Sequence, residues 1–379
     1  MSSAKTNIIF ESNIKGHVLE YLHNIYMHAI HCEGNFVFIL PHSFETLKSI
    51  LNWPEASNVT FYLISDEETA KCNQQSVLKS AFERSRCIRK YSKLLNADNV
   101  FLIFLIRAMP FLPFFLPRSI KASGIIYSIP LYKPSQSKVQ SIKDRIVYCL
   151  FARRKEIKNI FMLNDSKSAV YYNRKYRTDK FLNLLDPIPE IDMSKVKDLR
   201  DDLGIPKNNT VYLQFGSLEN RKSTMKILYA LKSMSTEQLK GKTFIFMGKL
   251  YDTIREEFNE LIEVLNKKVQ IIVKEGFVPY EYLNSMCYTA DVILTLYTNV
   301  EMSSGSIGYA AFFSKPVIAP SVGLLGNLVK DNNLGLTINH ITPESIKQAL
   351  LVDVKLQKND YKYTHTVKAF CDTIINTFK

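Results

Sequence analysis

Short apolar runs alternate with amphipathic segments along nearly the whole chain, and this pattern constrains the fold more than any other feature. In the first half, Asn7-Ile8-Ile9-Phe10 and residues 36–40, 59–64, 100–106, 124–129 and 160–163 read as strands. Residues 17–32, 45–51, 74–95, 137–158 and 167–176 read as helices between them. In the first of these, Val18, Leu22, Ile25, Tyr26 and Ala29 fall on one face, the spacing of a half-buried helix. The second half repeats the pattern, with strands at 211–215, 243–247, 269–273, 291–294, 317–319 and 335–338. Its helices are expected at 193–203, 224–233, 253–265, 280–288, 307–313 and 342–358. Strands that alternate with helices predict parallel sheets covered on both faces. Residues 185–190 (LDPIPE) interrupt the pattern, because two prolines after an apolar strand make a stiff, extended linker. The chain is therefore expected to be α/β, with two Rossmann-like, doubly wound domains over 1–188 and 189–358. A last segment, 359–379, is expected to return as a helix to the first domain.

At 379 residues and 46% hydrophobic content, the chain can bury two cores. Six cysteines lie far apart, which predicts reduced thiols, and the seven histidines form no metal pattern. The opening MSSAKTNIIFES has no long apolar core, so a cytoplasmic protein is expected, placed at the inner face of a membrane. The net charge of +13 is unevenly spread: residues 79–180 hold 22 Lys and Arg against 6 Asp and Glu, a net +16 against −3 elsewhere. No aromatic-basic repeat accompanies this excess, so nucleic acid is not the expected partner. An anionic membrane surface or an anionic substrate is. Residues 100–116 are apolar but broken by Arg107, Pro110 and Pro113, which predicts a strand and a hydrophobic loop rather than a spanning helix. Phe111, Phe114 and Phe115 of that loop are either core or a contact with a bilayer or lipid-linked acceptor.

Three turns carry candidate chemistry. Residues 300–320 read VEMSSGSIGYAAFFSKPVIAP. Ser303, Ser304 and Gly305 open a helix whose first N–H groups are unobstructed and favour an anion. Glu301, just before them, suits sugar hydroxyls rather than a phosphate. The plainer alternative is a serine cap beside a solvated acid. Residues 216–223 (GSLENRKS) join a strand to a helix. Gly216 lets the backbone approach a diphosphate, and Arg221 and Lys222 supply cations at a helix end that otherwise disfavours them. The spacing is not that of a P-loop. Gly16 and His17 end the turn 12–17 after the first strand, where His17 either meets a ligand or is a first-turn polar residue.

Three blocks in this order, FGSLENRKS, EGFVPYEYL and EMSSGSIGYAAFFSKPVIAPSVGLLGNLV, resemble the donor-binding domain of GT-B glycosyltransferases, in particular the retaining group with a Glu-x7-Glu motif. The resemblance covers residues 190–355, while the first half matches in layout, in its Gly-His turn and in its Asp-Pro linker. It implies a phosphate-binding role for Lys222, a strand-end role for Gly216 and a donor-sugar contact for Glu301. The family's Arg after the glycine falls on Ser217, and Arg221 would replace that cation. The second motif Glu falls on Tyr309, where a hydroxyl would take over part of a ribose contact. Ser303, Ser304 and Gly305 would face the diphosphate, and the base would stack against the loop holding Phe277 and Val278. Gly16 and His17 would form the turn at the acceptor side. The resemblance implies transfer of a sugar from a nucleotide-diphosphate sugar to a glycan or lipid-linked acceptor, with retention, without cofactor or metal, in surface polysaccharide or glycoconjugate synthesis. A nucleotide-sugar epimerase on the same fold, or a non-catalytic scaffold marked by Ser217 and Tyr309, are the alternatives. A dehydrogenase is disfavoured by the absence of Gly-x-Gly-x-x-Gly after any strand.

Overall fold

A computed structural model describes residues 5–14, 16–50, 53–133 and 137–379. Lys15 of the first turn and Leu51 of the second expected helix lie outside the described residues. The chain divides into two units, one formed by residues up to Leu185 with Val367–Lys379, the other by Asp186–Thr366.

The first unit is built on seven strands: β1 Thr6–Phe10, β2 Asn35–Pro41, β3 Val59–Ile64, β4 Asn99–Leu102, β5 Lys121–Ile126, β6 Ile157–Leu163 and β7 Phe181–Leu184. They are all parallel, in the order β3-β2-β1-β4-β5-β6-β7. The strands are apolar on both faces because helices cover both, and Ile9, Phe38, Phe101 and Phe161 are fully buried. Each such side chain contributes about 1.5–3 kcal/mol by leaving water. Helix His17–Ala29 buries Val18, Leu22, Ile25 and Ala29 at the expected spacing. Trp53 packs among Tyr26, Phe44 and Phe61. Helix Val367–Ile375 covers the helix His17–Ala29: Phe370 stacks on Tyr21 at 5.1 Å, and Asp372 meets His28 at 2.9 Å.

The second unit has six strands: β8 Thr210–Phe215, β9 Lys242–Gly248, β10 Gln270–Glu275, β11 Val292–Leu294, β12 Val317–Pro320 and β13 Gly335–Ile338. They too are all parallel, in the order β10-β9-β8-β11-β12-β13. Leu213, Ile245, Ile293 and Ile318 form the buried middle of the sheet.

Several boundaries differ from the sequence reading, each for a tertiary reason. Residues 193–203 form no regular helix beyond a 3-10 turn at Met193–Lys195. The backbone N–H groups of Lys197 and Leu199 donate to the side chains of Ser285 and Thr289, which takes them out of any helical ladder. The segment 74–95 is helical only over Val77–Leu94, and a separate short helix, Asp66–Cys72, precedes it with a Ser65–Glu68 capping box. Helix Lys138–Arg153 ends before the expected 158 because Ile157 already pairs with Ala122 of β5. The apolar run 100–116 leaves β4 through a 3-10 turn, Leu105–Ala108, and a short helix, Leu112–Phe115. Leu112, Pro113 and Leu116 are buried there, whereas Phe114 is exposed.

In both sheets the strand order reverses once, between β1 and β4 and between β8 and β11. Loops leaving the carboxyl ends of such a pair diverge to opposite faces and open a crevice, where doubly wound sheets bind ligands.

Candidate functional site

The switch point of the second unit gathers the 216–223 turn and the 300–320 stretch. β8 ends at Phe215, and Gly216 follows at φ +95°, a conformation that L side chains rarely adopt. A Cβ at Gly216 would lie 2.4 Å from Lys222 Nζ. At the neighbouring strand end, Gly248 has φ +132°, and a Cβ there would lie 1.7 Å from the Gly216 carbonyl oxygen. These two glycines let the ends of β8 and β9 touch and let the loop fold back over them.

Lys222 is the result of that fold-back. Its Nζ donates to the Phe215 carbonyl at 2.8 Å and lies 4.9 Å from the centre of the Tyr297 ring. The Lys222 carbonyl accepts from the buried Gln214 Nε2 at 2.7 Å, which pins the loop from beneath. Lys222 makes no ion pair among the described residues. Arg221 differs: Glu219 Oε1 lies 2.8 Å from its Nη2 and accepts from the Ser217 hydroxyl at 2.5 Å. Burial pushes the Glu219 carboxyl up, but the bonds from Ser217 and Arg221 outweigh it and hold it below the usual carboxylate range. Arg221 and Ser217 thus form a locally neutral knot with Glu219, and Lys222 is left as the positive charge of the turn.

Tyr297 connects this turn to the other. It follows β11, is buried, and its hydroxyl lies 3.0 Å from Ser306 Oγ, which lies 2.8 Å from Ser304 Oγ. Burial raises the Tyr297 phenol, yet the Lys222 ammonium and the hydroxyls of Ser304 and Ser306 bring it below the ordinary tyrosine value. Ser304 caps helix Gly305–Phe312. Ser303 donates to Asp186 Oδ2 at 3.0 Å, which ties the serine turn to the Asp-Pro segment of the same unit. Glu301 is half-buried and makes no hydrogen bond or ion pair among the described residues. Next to it, the Val300 carbonyl accepts from Leu324 N at 2.7 Å, so the starts of helices Gly305–Phe312 and Gly323–Asp331 both lie close to Glu301.

Two expected donor contacts have different surroundings. Tyr309 is 5% exposed and meets Phe215 edge-on at 5.6 Å, so its ring forms part of the wall beneath the turn. Phe277 is 88% exposed, beside a half-buried Val278. Its loop is anchored on one side by Gly276 N, which donates to the Gly248 carbonyl at 3.0 Å. Glu275, next in line, takes a bidentate pair from Arg255 at 2.7 and 2.9 Å. An aromatic ring this exposed on an anchored loop is a ready stacking surface.

In the first unit, Gly16 has φ +64° at the start of helix His17–Ala29. His17 is 70% exposed, with Nδ1 3.4 Å from the Glu20 carboxylate. Below this turn the buried Glu11 Oε1 accepts from Ser12 N, Asn13 N and Arg84 Nη1 at 2.9, 3.0 and 3.1 Å. Arg84, itself 2% exposed, also donates to Asn73 Oδ1 and the Cys72 carbonyl.

The sequence reading did not single out Tyr297, Gln214, Glu219, Glu11 or Arg84. A tyrosine three residues after a buried strand and four before Glu301 was the only available signal for Tyr297, and a lone tyrosine at that spacing is usually core.

No family model and no curated protein sequence matches the chain. Solved structures do match it over its whole length. A glycosyltransferase from Rickettsia africae superposes with TM-score 0.67 at 11% identity, covering 100% of this chain and 98% of that one. HepE from Anabaena, in complex with UDP and glucose, gives TM-score 0.63 at 15% identity, with 99% of each chain covered. An α,α-trehalose-phosphate synthase (UDP-forming) from Burkholderia xenovorans, in complex with glucose-6-phosphate, gives 0.69 at 9% identity, again with 99% of each covered. Two parallel sheets in this strand order, matched end to end by such structures, establish that the chain has the α/β GT-B fold, with two Rossmann-like domains.

Proposed function

We propose that the protein is a glycosyltransferase that takes a nucleotide-diphosphate sugar in its second unit and passes the sugar to a glycan or lipid-linked acceptor. The observation that carries this reading is Lys222: an ammonium with no ion pair among the described residues, held at the carboxyl end of β8 and joined through Tyr297 and Ser306 to the start of helix Gly305–Phe312. A departing diphosphate gains negative charge, and a fixed cation with helix N–H groups stabilises that charge more than the ground state. In this reading Lys222 and the backbone at Ser303, Ser304 and Gly305 receive the diphosphate. Arg221 contributes only if an anion draws it from Glu219. Glu301, which makes no hydrogen bond or ion pair among the described residues, takes the donor-sugar hydroxyls. Phe277 and Val278 hold the base, and Gly16 and His17 act on the acceptor side. Transfer proceeds with retention and without a metal, and the product belongs to a surface polysaccharide or glycoconjugate. The complexes of HepE with UDP and of HepE with UDP-glucose agree with this assignment of the ligand class.

The test is a thermal-shift and calorimetric screen of UDP, GDP, ADP and CMP with their common sugar conjugates, in Mg2+ and in EDTA. One nucleotide is expected to raise the midpoint in both conditions, by about 2.7 kcal/mol of stabilisation at a hundred times its dissociation constant. Lys222→Ala is expected to weaken that response and to lower transfer about a hundredfold. Silence across the screen would favour a scaffold, the reading to which the burial of Tyr309 and the Ser217–Glu219–Arg221 knot lend support.

A further inference from the structure

The first unit carries an exposed apolar surface that sugar transfer does not use. Helix Lys138–Arg153 buries Tyr148, Phe151 and Ala152, yet Val139, Ile142 and Ile146 are 62%, 58% and 62% exposed. Their spacing of three and four places them on one stripe. Ile142 and Ile146 line a shallow groove of about 550 Å³ together with Arg145, Leu150, Arg153 and Arg154. The Arg154 guanidinium lies 4.8 Å over the ring of Phe114, which is 58% exposed. The neighbours of Phe114 continue the surface: Phe111 and Phe115 both meet Phe82 edge-on, at 5.6 and 5.1 Å. Phe82 belongs to helix Val77–Leu94, whose first residues, Val77 and Leu78, are also exposed. Contacts therefore run from one long helix to the other across the short helix Leu112–Phe115.

The charges on the two long helices are mostly positive. Lys79, Arg86, Lys138, Lys143, Arg145 and Arg153 are exposed on the two long helices. Their only acids are Glu83, which Arg86 approaches at 3.4 Å, and Asp144, which accepts from Gln140. Isolated apolar residues on a surface need no explanation, but a stripe of isoleucines rimmed by cations does. A protein partner would have to match many dispersed cations with placed carboxylates. A sheet of lipid phosphates matches them in any rotation, and its acyl boundary receives the isoleucines. No helix among the described residues is long and apolar enough to cross a membrane, so the surface would lie on the bilayer.

We propose that helix Lys138–Arg153, with Phe114 and the start of helix Val77–Leu94, docks the protein onto an anionic lipid bilayer. Val139, Ile142, Ile146 and Phe114 enter the headgroup boundary, and the lysines and arginines around them hold lipid phosphates. The full-length protein is sedimented with vesicles of phosphatidylcholine alone and of phosphatidylcholine with about 30% phosphatidylglycerol, at low and high salt. Binding is expected only to the anionic vesicles and is expected to fall with salt. The double variant Ile142→Asp/Ile146→Asp is expected to bind about tenfold more weakly or worse. The fluorescence of Trp53, buried in the first unit, verifies that this variant is folded. Failure to bind anionic vesicles at low salt, or undiminished binding by the folded double variant, overturns the proposal. So does concentration-dependent self-association that the same substitutions abolish, since a second copy would then be the occupant. Nucleotide binding by the second unit is read separately, so a failed docking test leaves the donor site unaffected.

Discussion

The two switch points share a topology and use charge in opposite ways. At the end of β1, Glu11 is 1% exposed and its charge is met inside the protein by Arg84 and two backbone N–H groups. At the end of β8, Lys222 donates to a carbonyl, lies against the Tyr297 ring and makes no ion pair among the described residues. A buried charge must be compensated from within, because desolvation costs several kcal/mol per ion. A half-buried cation at a crevice need not be, and its attraction remains available to a ligand. The comparison separates a turn whose charge is compensated from within from a turn whose cation makes no ion pair among the described residues.

The largest expected effect tests the first side of this contrast. Arg84→Met would remove the guanidinium that donates to the buried Glu11, at a cost of about 3–5 kcal/mol to the first unit. The chain has a single tryptophan, Trp53, in that unit's core, so urea unfolding followed by its fluorescence reads this unit alone. The double variant Glu11→Gln/Arg84→Met is expected to recover much of the loss. If Arg84→Met leaves the Trp53 transition unmoved, the internal compensation argued for β1 is wrong.

The second unit is expected to be more sensitive to acid. His365 is 5% exposed, its ring lies 3.6 Å from that of Tyr361, and burial lowers its pKa to about 4. Its backbone carbonyl accepts from Ile188 N, so it also secures the Asp-Pro segment that leads to Ser303. The folded pKa is below the unfolded value of about 6.5, so the neutral ring is favoured by folding. Its contribution is complete above pH 6.5 and is lost as pH falls towards 4, up to about 3 kcal/mol. The circular-dichroism transition that Trp53 does not report is expected to drop over this window, and His365→Phe to flatten the drop. An unchanged slope in that variant would assign the acid sensitivity to other groups.

The smallest effect sharpens the donor side. Tyr297→Phe keeps the ring beneath Lys222 and removes one hydroxyl between Ser306 and the ammonium. A loss of about 1 kcal/mol in stability is expected. Nucleotide affinity should weaken several-fold while the Trp53 transition stays where it was. Equal affinity in the variant would show that the two turns are held in place independently of the Tyr297 hydroxyl.

Much of this was legible in the residues, for definable reasons. Strand and helix periodicity survives in any covered parallel sheet, so β1, β2, β3 and β8 lie within a residue of where the pattern puts them. Gly216 and Lys222 stood out because a strand-end glycine followed by cations is unusual at a helix start. The helix expected at 193–203 failed because Ser285 and Thr289, some ninety residues away, take its N–H groups. Asp66–Cys72 was missed because its helical character comes from a capping box rather than from an apolar stripe. The Phe111–Leu116 loop was ambiguous because a run of Phe, Leu and Pro reads the same whether buried or bare. Only packing decided that Leu112 is core and Phe114 is not.

By itself, the sequence determined the α/β class, the two-unit layout, the Asp-Pro break and the glycine-and-cation turn that follows β8. These depend on periodicity, on proline and glycine, and on short-range charge, all local properties of the chain. The tertiary structure alone decided that Arg221 is paired and Lys222 is not. It also placed Tyr297 and Ser306 between the two turns and left a stripe of isoleucines facing outward among cations. Each depends on which side chains meet across large sequence separations, and on the low dielectric those meetings create.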